Sequence, residues 1–304
     1  VVMDRARINE MNEVTPPQER DAREALVKEK MMAAVKPGCD RRPSVEAPLH
    51  NTFNKTFVVH THPAIVNGLT CAQNSKENTN RLFPDALWIE FTDPGYVLCT
   101  VVRDRIEKFT AEKGYEPELV FLENHGVFVA SDTAEGIRSL YEQVMTTLKQ
   151  EYREQGIDTE FKIGDDPSAE RVQEMHEKLK SFIPGDHASF IAASGPFKVA
   201  DGPISPDHIT YSKSYALFGE PTQEKVDAFT KANGYPPRVI STDDGVFGIM
   251  NTQKTADLAL EFAQDGSEVM QLSKAFGGIQ YMTDEARDFI DNWEVEAYRR
   301  NVLK

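Results

Sequence analysis

No run of apolar residues in this 304-residue chain approaches the ~20 that a membrane-spanning helix needs. Cysteine is scarce. Cys39, Cys71 and Cys99 form an odd, widely spaced set, which argues against a disulfide framework and suits free thiols in a reducing cytoplasm. Positive charge is also short, with 34 Lys and Arg against 49 Asp and Glu and a formal net charge of −15. The basic field that nucleic acids or anionic membranes require is therefore missing, and neither is an expected partner. No G-x-G-x-x-G nucleotide loop occurs. The opening stretch Val1–Glu13 has no hydrophobic segment of a secretory signal. It also lacks an initiator Met, so the chain is expected to be processed or part of something longer.

What is present is ordinary globular composition, 40% hydrophobic and 27% charged. Residues 1–40 read as a polar helical entry segment, broken at Pro16-Pro17 and ending at Pro37-Gly38. From Arg41 to Tyr152, short apolar stretches alternate with amphipathic ones. Strands are predicted over 57–62, 86–91, 119–122 and 126–130, where β-branched and aromatic residues cluster between polar breaks. A helix follows, with Asp132 to Glu135 as its capping box and Ile137, Leu140, Tyr141, Val144, Met145 and Leu148 at helical spacing. Residues 153–205 are more polar, with one predicted helix over 167–181 and a strand over 188–193, and they are read as a connecting region. Strands alternating with helices predict a layered α/β/α fold.

The chain then repeats itself. Residues 109–120 return at 229–240 (Phe-Thr, then Gly-Tyr-x-Pro, then an apolar pair), and Gly-Val-Phe at 126–128 returns at 245–247. Residues 88–92 are aligned with 208–212, and Tyr96 with Tyr215. Two copies are too few for a solenoid. A degenerate half-repeat over 206–304 is the expectation. In its register Asp244 stands where the first copy has His125, so no second metal site is expected.

Three places carry chemistry. His60 and His62, in His-Thr-His-Pro at a strand end, are two residues apart and so share one strand face, as a metal ion requires. His125 lies in Glu123-Asn124-His125-Gly126, between two strands, where Gly126 would support a tight turn. Three imidazoles with an open fourth position are the ligand count of a catalytic zinc site. The third place is Ser44-Val-Glu46-Ala-Pro-Leu-His50. If a helix starts there, Ser44 is its N-cap, and Glu46 and His50 are four apart on one face. A carboxylate facing a metal-bearing strand is a natural general acid/base.

The ordered set SxExxxH (Ser44, Glu46, His50), HTHP (60–63) and NHG (124–126) resembles the class II aldolase/adducin superfamily, over roughly residues 20–304 and most strongly over 41–152. Within it, the chain is most similar to the aldolase portion of bifunctional rhamnulose-1-phosphate aldolase/alcohol dehydrogenase proteins, on the added likeness of Ser-Pro-Asp-His-Ile (205–209) and Glu-Ala-Tyr-Arg-Arg (296–300). The resemblance implies a metal-binding domain over 41–152, Zn²⁺ or another divalent transition metal on His60, His62 and His125, and Glu46 as the catalytic acid/base. It further implies aldol cleavage of a ketose or ketose phosphate through an enediolate, in a homo-oligomer. Epimerisation or decarboxylation on the same scaffold, or a non-catalytic adducin-like module, are the alternatives. The acid serving the aldehyde oxygen stays open among Tyr96, Tyr115 and a neighbouring subunit. The family's phosphate-binding loop is not evident in residues 1–40. It is altered, lies in a missing segment, or is unneeded because the substrate carries no phosphate. Ser44, Arg41 and Arg42 are the candidate substrate contacts.

Overall fold

The computed structural model describes residues 1–39 and 41–293. Its first elements are α1 (Arg5–Asn9), α2 (Arg20–Ala33), α3 (Ala47–His50), β1 (Phe57–Thr61), α4 (Ala64–Thr70), α5 (Ser75–Leu82), β2 (Leu87–Ile89), α6 (Tyr96–Lys113), β3 (Leu119–Leu122), β4 (Gly126–Ser131) and α7 (Ala134–Glu154). There follow α8 (Ala169–Phe182), β5 (Phe190–Ser194), α9 (Pro206–Tyr211), β6 (Leu217–Phe218), α10 (Gln223–Asn233), β7 (Val239–Ser241), β8 (Val246–Met250), α11 (Gln253–Leu272) and α12 (Asp284–Asn292). The fold is α/β, as expected. No helix among the described residues is long and apolar enough to cross a membrane, and the three cysteines are free thiols. The tail motif at 296–300 lies outside the described residues.

Contacts divide the chain into two units: Val1–Thr61 with Thr79–Val144, and His62–Asn78 with the described residues from Met145 onward. The first unit holds a sheet of order β1-β4-β3-β2, with β1 and β3 antiparallel to β4 and β2 parallel to β3. Alternate residues Val120 and Leu122 of β3, and Phe128 and Ala130 of β4, share one core with Leu98, Cys99, Val102 and Ile106 of α6. The first pattern has period two and the second the spacing of a helix, so each element presents one apolar face to the other. Burying each large side chain stabilises the unit by roughly 1.5–3 kcal/mol. Tyr96, considered above as an acid, belongs instead to a cluster with Ile8, Met11, Val27 and Met31. Its hydroxyl donates to the Met11 carbonyl at 2.8 Å.

The second unit holds a sheet of order β5-β8-β7-β6, with the same pattern of antiparallel and parallel pairs. The repeat is therefore longer than its sequence signal. Residues 153–205, expected as a connection, supply α8 and the strand β5, the counterpart of β1. The alignment of 88–92 with 208–212 does not hold either. Residues 206–211 form α9, whose N-terminal Pro206 suits the first turn of a helix, and β6 is the strand that matches β2. Where the sequence repeat was clearest, the structures agree closely. Gly114 and Gly234 end α6 and α10 in the left-handed conformation, at φ +82° and +76°. The next residue in each copy turns its ring edge-on to a phenylalanine: Phe109–Tyr115 at 5.7 Å and Phe229–Tyr235 at 5.8 Å between centroids.

Candidate metal centre

The β1–β4 register sets His60 directly opposite Phe128. The two rings stack, with centroids 3.9 Å apart and planes 6° from parallel. His60 Nδ1 lies 3.0 Å from the Val127 carbonyl. A carbonyl only accepts, so Nδ1 carries the proton and Nε2 keeps its lone pair for a ligand. The His60 side chain is 4% exposed and that of His125 6%, so neither ring has room to swing away.

His125 closes a turn by donating its N–H to the Leu122 carbonyl at 3.2 Å. The left-handed position of that turn is Asn124, at φ +52°, a conformation asparagine tolerates better than most residues. Gly126, expected to supply this freedom, is the first residue of β4 and pairs with Leu122.

Glu46 immediately precedes α3, and its carbonyl accepts the His50 N–H at 3.0 Å. Ser44 is not the helix cap. Pro48 explains why: in a helix starting at Val45 its ring would meet the Ser44 carbonyl and no N–H would be available there, whereas second in a helix starting at Ala47 it is tolerated. Ser44 Oγ accepts the Glu46 N–H at 3.2 Å, so it positions the backbone that carries the carboxylate. Asp132 likewise does not cap α7. Thr133 Oγ1 accepts the Gly136 N–H at 3.0 Å, while Asp132 pairs with Lys55 at 3.0 Å.

Glu46 Oε1 stands 3.5 Å from His60 Nε2 and 3.5 Å from His125 Nε2, and the two nitrogens are 3.4 Å apart. Three ligands bound tetrahedrally to zinc at about 2.1 Å lie roughly 3.4 Å from one another, so this triangle fits such an ion. His62 follows β1 directly. Ligand atoms of Glu46, His60, His62 and His125 all lie within 4.8 Å of one another, a group that could hold a metal ion. His62 Nδ1 faces the Asp207 carboxylate at 2.6 Å, which leaves its Nε2 as the ligand atom. Burial pushes the Glu46 carboxyl up, but His125 and His60, in their doubly protonated form, outweigh it through hydrogen bonds and charge and hold the group well below the usual carboxylate range. Three imidazoles and one carboxylate suit zinc or a similar divalent ion.

His50 is not among the four. It donates from Nδ1 to the Val58 carbonyl at 3.2 Å and sets its ring edge against Phe128 at 5.2 Å. Burial, the largest effect, and the neighbouring His60 lower its pKa. Arg41 is exposed and Arg42 half-buried. Tyr115 is exposed and donates its hydroxyl to Asp85 at 2.7 Å.

In the second sheet the residue facing Phe247, the equivalent of Phe128, is Ala193. An alanine thus stands where the first sheet has His60. Asp244, in the place of His125, accepts from Arg171 Nε at 2.7 Å and from Thr242 Oγ1 at 2.6 Å. Sequence reasoning missed Asp207 as a partner of His62 and Phe128 as the platform of His60. The first lay in the noticed Ser-Pro-Asp-His-Ile stretch without a role, and the second carries no signal beyond apolar alternation.

Residues 18–152 match the family described as Class II Aldolase and Adducin N-terminal domain. A relative, the uncharacterized oxidoreductase YuxG of Bacillus subtilis (strain 168), is 22% identical over 218 residues; the match spans 63% of this chain but only 30% of that protein. A solved structure, the N-terminal class II aldolase domain of a conserved protein from Thermoplasma acidophilum, is 17% identical with a TM-score of 0.39, over 49% of this chain and 64% of that one. The segment that matches the class II aldolase and adducin family, residues 18–152, carries Glu46 and all three histidines of the group.

Proposed function

We propose that the chain is a cytoplasmic metal-dependent aldolase that cleaves a ketose or ketose phosphate and works as a homo-oligomer. The observation that carries this reading is the convergence of Glu46 Oε1 on His60 and His125 at 3.5 Å each. His60, His62 and His125 would hold the ion, most suitably Zn²⁺. A bound divalent ion supplies a Lewis acid for a sugar carbonyl and its neighbouring hydroxyl. In cleavage the proton released by the departing hydroxyl ends on the carbon beside that carbonyl, and Glu46, fixed through Ser44, would be the group that delivers it there. Phe128 and the Val127 carbonyl hold the His60 ring, and Asp207 holds the His62 ring, so the nitrogens need no reorganisation. A match confined to 30% of a longer protein named as an oxidoreductase suits the aldolase portion of a two-activity protein.

The test joins metal analysis of the purified chain to a retro-aldol screen against free ketoses and ketose 1-phosphates. One equivalent of a divalent transition metal and release of an aldehyde are the expected results. An epimerised or decarboxylated product would assign the same site to the corresponding chemistry. A chain that holds no metal and turns over none of these sugars would be a non-catalytic, adducin-like module.

A further inference from the structure

The second unit contains a cavity of about 280 Å³ lined by His62, Asn67, Asp207, Glu261, Phe262 and Asp265, with Ser205 and His208 completing its wall. Three of its side chains are carboxylic acids and none is Lys or Arg. Two of the acids are fixed in place. Asp207 accepts from His62 at 2.6 Å. Asp265 faces His208 Nε2 at 3.0 Å, and the other nitrogen of that ring is 2.7 Å from Ser205 Oγ.

Asn67 is an independent sign of a ligand. It is wholly buried. Its Oδ1 accepts the Thr70 hydroxyl at 3.0 Å, yet its Nδ2 has no hydrogen-bond partner among the described residues. A buried amide donor left unmatched is unfavourable, and such groups commonly mark a place where a ligand or ordered water belongs. The cavity therefore offers one unspent donor, several carboxylate acceptors and an aromatic wall. Hydroxyl groups donate and accept, so a neutral polyhydroxylated chain meets all three, with its C–H surface against Phe262. A phosphate ester dianion only accepts, and any phosphate would bring its negative charge against Asp207, Glu261 and Asp265.

We propose that this cavity binds the unphosphorylated, polyhydroxylated end of a sugar and rejects a phosphate there. As a statement about substrate it rests on the aldolase reading above, because His62 belongs both to the cavity and to the metal-ligand group.

The experiment is calorimetric titration of the full chain, as purified and again after chelation, with a panel of pentitols and hexitols, mannitol 1,6-bisphosphate and inorganic phosphate. The bisphosphate carries phosphate at both ends, so no orientation avoids the acids. At least one polyol is expected to saturate at one per chain. After chelation, the bisphosphate and inorganic phosphate are expected to bind at least ~10-fold more weakly, since like-charge contacts are strongly unfavourable. Glu261→Gln removes one charge from an exposed residue and narrows that gap. Asn67→Ala weakens the polyol about five- to tenfold, the worth of one hydrogen bond. If that variant does not fold, Phe262→Leu provides a second test of the same contact set. The proposal is overturned if no polyol saturates, if phosphate binds the chelated chain as tightly as the best polyol, or if the polyol is indifferent to the substitutions. Polyols have no carbonyl to cleave, so the two readings fail separately. A chain that binds them but cleaves no ketose loses the aldolase assignment, and one that cleaves ketoses without binding them loses the cavity.

Discussion

The Asp207 carboxylate accepts from His62 Nδ1 at 2.6 Å, across 145 residues of sequence. It does for His62 what the Val127 carbonyl does for His60: it fixes the tautomer and orients Nε2. Outer partners of this kind commonly matter 10–100-fold in metal affinity. Asp207→Asn is expected to weaken zinc binding by that factor in competition with a chromophoric chelator, with the circular dichroism spectrum unchanged. An unaltered zinc affinity would show that Asp207 has no part in holding the ligand.

His60→Ala removes a ligand atom and the ring stacked on Phe128. The variant is expected to lose stoichiometric metal on dialysis while His50→Ala, outside the group of four, retains it. Metal analysis of the two proteins in parallel separates a ligand from a neighbouring structural histidine. Retention of one equivalent by His60→Ala would remove β1 from the metal centre.

These outcomes bear on what the sequence could and could not reveal. His60 on β1, His62 just after it and His125 before Gly126 were legible because period-two spacing and strand–turn junctions are local features. Glu46 was legible as a residue but not in its setting, since Pro48 shifts the helix start past Ser44. Asn124, not Gly126, takes the left-handed position, because asparagine's short polar side chain also tolerates it. The second sheet was half-hidden. Its strands β7 and β8 repeat recognisable residues, but β5 and β6 share little more than apolar character with β1 and β2. Pairing between strands far apart in sequence is fixed by register in the sheet, which a comparison of linear strings does not report. Asp207 was hidden for the same reason, its partner being 145 residues away.

Glu46→Gln keeps the size of the side chain and removes its charge. If Glu46 moves the proton, the rate of ketose cleavage falls by ~10²–10⁴ while the zinc content stays at the wild-type value. If its main part is as a ligand, zinc affinity falls with the rate. Measuring both quantities on the same preparation distinguishes them, and a fully active, zinc-loaded Glu46→Gln protein would exclude the residue from the mechanism.

Asp244 tests whether the second sheet carries a working site or only a structural echo of the first. Its hydrogen bond from Arg171, then that from Thr242, hold the carboxyl below the usual Asp range, and its side chain is 51% exposed. A depressed folded value means the contribution to stability is complete above the ordinary Asp pKa of about 3.9 and is lost as pH falls through the folded value. Asp244→Ala is therefore expected to lower stability at pH 7 by no more than about 1 kcal/mol, because the pair is open to solvent. Arg171 also pairs with Glu220, which limits the loss further. The difference from wild type should shrink in 1 M salt and again below the ordinary Asp range, as read from urea midpoints. Metal content should not change, since Ala193 stands in the place of His60 and Asp244 is already committed to Arg171 and Thr242. Loss of a metal equivalent in an Asp244→Ala protein that still folds would show that the second sheet holds a site of its own.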